Sequence, residues 1–388
     1  MLTLKLPASH APQLEVLLLI TDQLDEIASQ FGGPMVVALS GGGDSVALAK
    51  LAAVWAKPRG IVLHAVCVNH GLRPNSGVEA SQAIAWAREF GLSGEVITLP
   101  TKPKNGGVQA WARESRYQAL ARSAHKIGAP IILVGHTLDD QIETLIWRLV
   151  RNTGLDGLAG MQALAPCPGS YRFHPCLLAR PMLGAKREDL RRYLQAQGQT
   201  WLEDDSNHNH QFSRVKIRNR LAELSALGVS FERIITIAAL ANQLRLAQEQ
   251  ACWALLRRAN FVLTETGASL EASPFLNGHS NEVTRGLGWI IYGLSEAKHM
   301  VPSAKLMSLH HSLMDPTFRG RTLAGLSIER TNMLLVFNPA RPRRGQGQQF
   351  VISKWEAQRR ILAISRQSHA FVTTGGAIRA GDGLTSCL

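Results

Sequence analysis

The sequence predicts an α/β fold: a doubly wound, mainly parallel sheet followed by a mainly helical domain. Three observations carry that expectation. Over the first 150 residues, short apolar runs alternate with helical patterns of roughly 10–20 residues, as strands covered by helices on both faces require. The first apolar run ends in a glycine cluster that opens a helix. From about residue 212 the alternation stops and long stretches of helical spacing take over.

Met35–Leu39 is the first strand, followed by Ser40-Gly41-Gly42-Gly43-Asp44-Ser45 and a helical pattern through Val46, Leu48, Ala49, Leu51 and Ala52. Ile61–Val68 is the second strand and Val78–Phe90 the second helix, closed by Gly91. Glu95–Leu99 is a third strand and Val108–Ile127 a long helix closed by Gly128. Ile131–Val134 is a fourth strand, leading through His136-Thr137 into a helix from about Asp139 to Arg151. A looser Gly- and Pro-containing region follows, with a strand at Phe173–Leu178 and a helix at Lys186–Gln197. Phe231–Ala259, about Asn281–Leu294 and Pro302–Leu313 read as helices, and Arg321–Phe337 as two short strands. These readings divide the chain into a catalytic domain at 1–211, a helical domain at 212–340 and a basic tail at 341–388.

Composition narrows the class. With 388 residues, 45% of them hydrophobic, the chain can bury a sizeable core, which excludes wholesale disorder. No apolar run approaches the ~18 residues of a membrane span, and the N-terminus lacks the order of a signal peptide, so a cytoplasmic protein without membrane contact is expected. The five cysteines are widely spaced and form no CxxC, which argues against a disulfide scaffold and a zinc ribbon. Residues 1–150 carry 13 basic and 12 acidic side chains, a net of +1, whereas the remaining 238 carry 29 and 17, a net of +12. A near-neutral front half and a basic back half suit a catalytic domain joined to a polyanion-binding part.

The glycine cluster is the sharpest signal. A strand running into SGGGDS and a helix turns successive backbone N–H groups toward an anion at a helix N-terminus. The kinase-type loop needs GxxxxGK[ST], which is absent, and the dinucleotide fingerprint fails because Val46 stands at its third glycine position. A plain turn capped by Asp44 or Ser45 is the structural alternative.

What remains, SGGxDS, resembles the loop of the PP-loop ATP pyrophosphatases, adenine nucleotide α-hydrolase-like enzymes that split ATP between the α and β phosphates. Further motifs follow in order: Val68-Asn69-His70-Gly71-Leu72-Arg73, Glu114-Ser115-Arg116-Tyr117, and His136-Thr137-Leu138-Asp139-Asp140-Gln141-Ile142-Glu143-Thr144. Then come Arg151-Asn152-Thr153-Gly154-Leu155-Asp156-Gly157-Leu158, Arg180-Pro181-Met182-Leu183, Glu203-Asp204-Asp205-Ser206-Asn207, Arg214 and Ile217-Arg218. In that order and spacing they resemble the tRNA(Ile)-lysidine synthases, over about residues 33–220. The resemblance implies ATP, Mg²⁺, L-lysine and an isoleucine tRNA with a CAU anticodon as cofactors and partners. It further implies that Ser40, Gly41, Gly42, Gly43, Asp44 and Ser45 hold the pyrophosphate end of ATP, with Asp44 toward Mg²⁺. On the same resemblance Arg116 reaches the α-phosphate, and Asp140 and Glu143 bind lysine; Asp44, Arg116, Asp140 and Glu143 form the catalytic set.

Each cluster also has a bland reading. Asp140 and Glu143 share one helix face, yet Thr137 and Asp140 equally spell a capping box. Arg116 suits a surface ion pair as well as a phosphate, and His136 a buried structural role as well as nucleotide contact. His70 and Arg73, placed after the second strand, suit adenylate or RNA. Arg214 and Arg218, four apart, suit tRNA phosphates or a solvated helix face. His208 and His210 alternate in a polar loop without a nearby Cys, which argues against a metal there. Asn207-His208-Asn209-His210 also departs from the family, which commonly has an acid in this stretch. A thiolase relative would want the missing CxxC, an amide synthetase would want an ammonia source, and an inactive RNA-binding chain would not need intact acids. The oligomeric state, a homodimer included, is left open.

Overall fold

Along the first strand, β1 (Met35–Ala38), alternate side chains serve two different cores: Met35 and Val37 join one apolar cluster and Val36 another. The fourth strand does the same, with Ile131 and Leu133 on one side and Ile132 and Val134 on the other. A sheet buried on both faces needs near-continuous apolar strands, which is why these runs read without polar alternation.

The computed structural model describes residues 11–71, 75–100, 107–151, 153–168, 176–203, 213–295, 297, 300–331, 333–340, 357, 361, 373–374 and 377–378. The chain divides into two units, Met1–Asn242 and Gln243–Leu388. In the first, α1 (Ala11–Phe31) precedes β1, and α2 (Gly43–Ala56), β2 (Leu63–Asn69), α3 (Ser76–Glu89), β3 (Ser93–Thr98) and α4 (Val108–Lys126) follow. Next come β4 (Ile131–Leu133), α5 (Leu138–Val150), the single turn α6 (Leu155–Leu158), β5 (Leu164–Pro166), β6 (Leu177–Ala179), α7 (Arg187–Ala196) and α8 (Ser213–Ala226). α9 (Phe231–Arg258) runs across the division.

The six strands are ordered β3-β2-β1-β4-β6-β5, parallel except for β5 at the edge. Side chains of α1, α2, α3 and α7 fill one face of this sheet (Ile20, Leu48, Ile84 and Leu190), and α4 covers the other through Tyr117, Leu120 and Ala124. The doubly wound fold is thus present. α1 is an element to which the sequence reading assigned no structure; its Ile20, Leu24 and Ile27, at helical spacing, are buried. Strand order reverses between β1 and β4, so a crevice for a ligand opens outside their carboxyl ends.

The second unit combines the end of α9, α10 (Ala272–Leu276), α11 (Ser280–Leu294) and α12 (Ser303–Met314) with an antiparallel sheet. Its strands β7 (Val262–Leu263), β8 (Ala268–Glu271), β9 (Gly320–Leu323), β10 (Leu326–Arg330) and β11 (Leu334–Pro339) are ordered β7-β8-β11-β10-β9. Trp253, Phe275, Leu287, Trp289 and Phe337 anchor its core. Helices dominate as expected, while the sheet has five strands where the sequence suggested two. No helix of the described residues is long and apolar enough to cross a membrane.

Candidate active site

The SGGGDS loop leaves β1 at the reversal point. Gly41 adopts φ +87°, a left-handed conformation suited to glycine, and its carbonyl accepts from the Leu202 N–H at 2.9 Å. A side chain there would also collide with Leu202, since a Cβ would lie 2.5 Å from its Cδ1. Ser45 closes the loop internally: its Oγ donates to the Gly42 carbonyl (2.8 Å) and accepts from the Ser40 N–H (3.1 Å). The helix cap is Gly42, without a side-chain capping bond, so neither Asp44 nor Ser45 serves as the N-cap of α2. This leaves the Asp44 carboxylate available for other chemistry.

Gly135, after β4, brings the second motif against the first. A Cβ on it would lie 3.1 Å from the Asp44 carbonyl oxygen, so a side chain there would push the end of β4 and the start of α2 apart by a few tenths of an ångström. Thr137 then caps α5, with a capping box: Asp140 Oδ2 accepts from the Thr137 N–H and from its hydroxyl, both at 2.9 Å. The two readings of Asp140 therefore coexist in one side chain. Oδ2 serves the cap, and Oδ1 turns to a different partner.

That partner is Arg187, the first residue of α7. Its Nε donates to Asp44 Oδ2 (2.9 Å), its Nη2 to Asp140 Oδ1 (3.0 Å), and its Nη1 lies 3.8 Å from Glu143 Oε1. Its backbone N–H donates to Asp139 Oδ2 at 2.8 Å. Three carboxylates from two motifs thus face one guanidinium while a fourth holds its backbone, and Glu143 is only 1% exposed. Burial pushes the Asp44 carboxyl above its usual range, and the Arg187 charge offsets only part of that rise. Burial opposes the charge of Arg187 as well, but Asp44 and Asp140 outweigh it and hold the guanidinium above its ordinary value.

A second, basic group surrounds Tyr117. The guanidinium carbons of Arg113 and Arg116 lie 5.0 and 5.6 Å from its ring centre, within cation–π range. His70, just beyond β2, is held below its ordinary value by burial and then by the neighbouring charge of Arg116. His136 accepts at Nδ1 from Arg180 Nε (3.2 Å), and Arg180 also donates to the Gln162 carbonyl (2.6 Å). A guanidinium only donates, so in this arrangement His136 Nδ1 is the unprotonated, accepting nitrogen of the ring.

The structure thus brings together Ser40, Gly41, Gly42, Gly43, Asp44, Ser45, Asp140 and Glu143, and sets His70 within the field of the Arg116 charge. Arg73 and the stretch 204–210, with His208 and His210, lie outside the described residues, as does most of the tail. Arg214 and Arg218 belong to α8, which packs against α5, but their side chains are outside the described set. Sequence reasoning missed Arg187. It follows Lys186 and precedes Glu188-Asp189 at a helix start, where nothing local separates it from a solvated charge run.

For Mg²⁺, Asp44 supplies a part-buried carboxylate beside the phosphate loop, the donor type this ion takes when substrate phosphates complete its shell. The residues present fit it.

Residues 19–225 match the PP-loop domain family, and the chain is a PP-loop protein by sequence as well as by its loop and sheet. It is 34% identical over 307 residues to the tRNA(Ile)-lysidine synthase of Hyphomonas neptunium, covering 78% of this chain and 81% of that one. The Ruegeria pomeroyi and Rhodopseudomonas palustris proteins of the same name are 34% and 32% identical, over 75% and 80% of this chain and 70% and 92% of theirs. The chain belongs to the tRNA(Ile)-lysidine synthases. It is an enzyme of the ATP-binding, tRNA-modifying ligase type.

Proposed function

We propose that the protein ligates L-lysine to C2 of the wobble cytidine, position 34, of isoleucine tRNA with a CAU anticodon, forming lysidine in the cytoplasm. The observation that carries this reading is the array of Asp44, Asp139, Asp140 and Glu143 beside the phosphate loop. It suits a reaction that must hold an amine next to ATP.

In the first step the cytidine C2 oxygen attacks the α-phosphorus and pyrophosphate leaves, giving an adenylated tRNA. The loop from Ser40 to Ser45 cradles the departing phosphates with backbone N–H groups and the α2 N-terminus. Arg116 spreads its planar fork over the charge that builds on the α-phosphate. Mg²⁺ on Asp44 would neutralise charge on the leaving pyrophosphate. In the second step the lysine ε-amine attacks C2, the C2–O bond breaks and AMP leaves. Asp140 and Glu143 hold the amine and take up the proton it releases.

His70, Arg73, Arg214 and Arg218 contact tRNA in this reading. Residues 1–211 act as the catalytic domain, and 212–340 with the basic tail 341–388 dock the polyanion. The thiolase alternative finds no support: Cys67, Cys167, Cys176 and Cys252 are all buried, and burial pushes the Cys67 thiol up to about 11, away from sulfur delivery.

The test incubates the protein with ATP, Mg²⁺, radiolabelled lysine and a CAU-anticodon isoleucine tRNA transcript, omitting each in turn. Label reaching RNA only with ATP supports the reaction. Pyrophosphate release without lysine transfer moves the assignment to another nucleophile, and no ATP turnover sinks it.

A further inference from the structure

Arg187 occupies the position an incoming ammonium would need. Asp140 has committed Oδ2 to the Thr137 cap, so Oδ1 is the oxygen it can offer a substrate amine, and Arg187 Nη2 holds that oxygen at 3.0 Å. The same guanidinium stands 3.8 Å from Glu143 Oε1 through Nη1. An amine entering between Asp140 and Glu143 therefore competes with a resident cation that is two-pronged and largely buried, its side chain 17% exposed. On its other side Arg187 grips Asp44, in the first turn of the helix that the phosphate loop opens. Phosphate oxygens arriving in that loop reach the guanidinium at close range. A planar fork prefers such doubly anionic partners, and the side chain is long enough to change partners by rotation alone.

We propose that Arg187 makes amine binding wait for the nucleotide: its guanidinium guards Asp140 and Glu143 until ATP phosphate draws it off. This rests on the reading that Asp140 and Glu143 are the amine ligands. The device orders the reaction, since lysine gains its carboxylates only once the nucleotide is in place. It is a coupling between two sites through one side chain with two sets of partners.

The experiment is calorimetric titration of L-lysine into the full-length protein with Mg²⁺, with and without α,β-methylene-ATP, which cannot be split between the α and β phosphates. Wild-type protein is expected to bind lysine at least about tenfold tighter with the analogue. Arg187→Met is expected to bring that ratio below about threefold, chiefly by tightening lysine binding in the absence of the analogue. Arg187→Lys, which keeps a charge without the fork, falls between. Equal affinity in the two wild-type arms overturns the proposal. So does an Arg187→Met protein that binds lysine more weakly in both arms, because the side chain is then a scaffold for the acids. Should Arg187→Met not fold, the wild-type ratio and Arg187→Lys still decide. The underlying reading fails separately, if Asp140→Asn leaves lysine affinity unchanged in both arms.

Discussion

Two arginine–carboxylate clusters in this molecule are built in opposite proportions. At the strand ends, Asp44, Asp140 and Glu143 face the guanidinium of Arg187 and Asp139 accepts from its backbone N–H, so four carboxylates gather at one arginine among the described residues. In the second unit, Glu249 on α9 pairs with Arg245 one turn earlier and lies 4.0 Å from Arg285 of α11, so one carboxylate faces two arginines among the described residues. Arg245 and Glu249 are both 3% exposed, and Arg285 also donates to Gln248. The second cluster sits among the core residues of its unit, on one helix and its neighbour. The first is drawn from three elements, α2, α5 and α7, at a reversal in the sheet. Surplus charge of one sign at such a place is costly for stability alone and is what a site for cationic ligands requires. A carboxylate held between two arginines on α9 and α11 inside a helical core orients helices.

The largest effect should come from breaking the acidic cluster. Asp140→Asn is expected to lower lysine transfer by about 10²–10³-fold while pyrophosphate release falls much less. Separate assays of labelled lysine and pyrophosphate check this, and equal loss of both steps would remove the amine role. Because Oδ2 also serves the Thr137 cap, the same change should cost roughly 1 kcal/mol of stability or less.

Breaking the second cluster should act on folding. Glu249→Gln strands Arg245 without its carboxylate, and unfolding in urea is expected to show a loss of about 3–5 kcal/mol in the transition of that unit. Replacing Arg245 and Glu249 together by Met and Leu is expected to restore most of it, since an apolar pair of similar volume avoids the desolvation cost. A double variant as unstable as the single one would show that the pair contributes more than its burial costs.

A third change tests the close approach that assembles the site. Gly135→Ala places a methyl group 3.1 Å from the Asp44 carbonyl oxygen, against backbone that cannot yield cheaply. ATP affinity, measured by equilibrium binding, is expected to weaken about tenfold, with the thermal midpoint falling by several degrees. An unchanged ATP affinity would mean that the loop and the fourth strand end are independent.

These residues also mark how far the sequence could be read. The phosphate loop and the Thr137–Asp140 cap are local patterns, and their residues meet across three to five positions, so the sequence carries them openly. Arg187 meets Asp44 across 143 positions, and only the packing of α7 beside α2 brings them together. No spacing rule encodes such a contact. The first sheet was legible because its strands are buried on both faces and separated by long helices. In the second sheet, β7 and β8 have two and four residues, too few for alternation to stand out from a loop. Residues 11–31 were unread for another reason: the Leu-rich run at Val16–Ile20 stands without a capping signal, so its helical face emerges only where Ile20, Leu24 and Ile27 dock.

The smallest effect belongs to an ion pair that is neither buried nor near the site, and it sets the baseline for the other two clusters. Asp25 on α1 accepts from Arg59 Nε (2.7 Å) and Nη2 (2.8 Å) and from the Trp55 indole (2.9 Å). The Arg59 hydrogen bonds, followed by that of Trp55, hold its carboxyl below the ordinary value of 3.8. A depressed folded value means the stabilisation is complete above the unfolded value and is lost as pH falls through the folded one. Both side chains are more than a third exposed, at 37% and 45%, so solvent screens the pair. Arg59→Gln is therefore expected to cost only about 0.5 kcal/mol at pH 7. Its difference from wild type should shrink as pH is lowered below the carboxylate range, where Asp25 is protonated in both. Denaturant unfolding across that range checks the sign: a difference that persists unchanged on acidification would mean Arg59 acts through its packing on Trp55, 5.4 Å away, and not through charge.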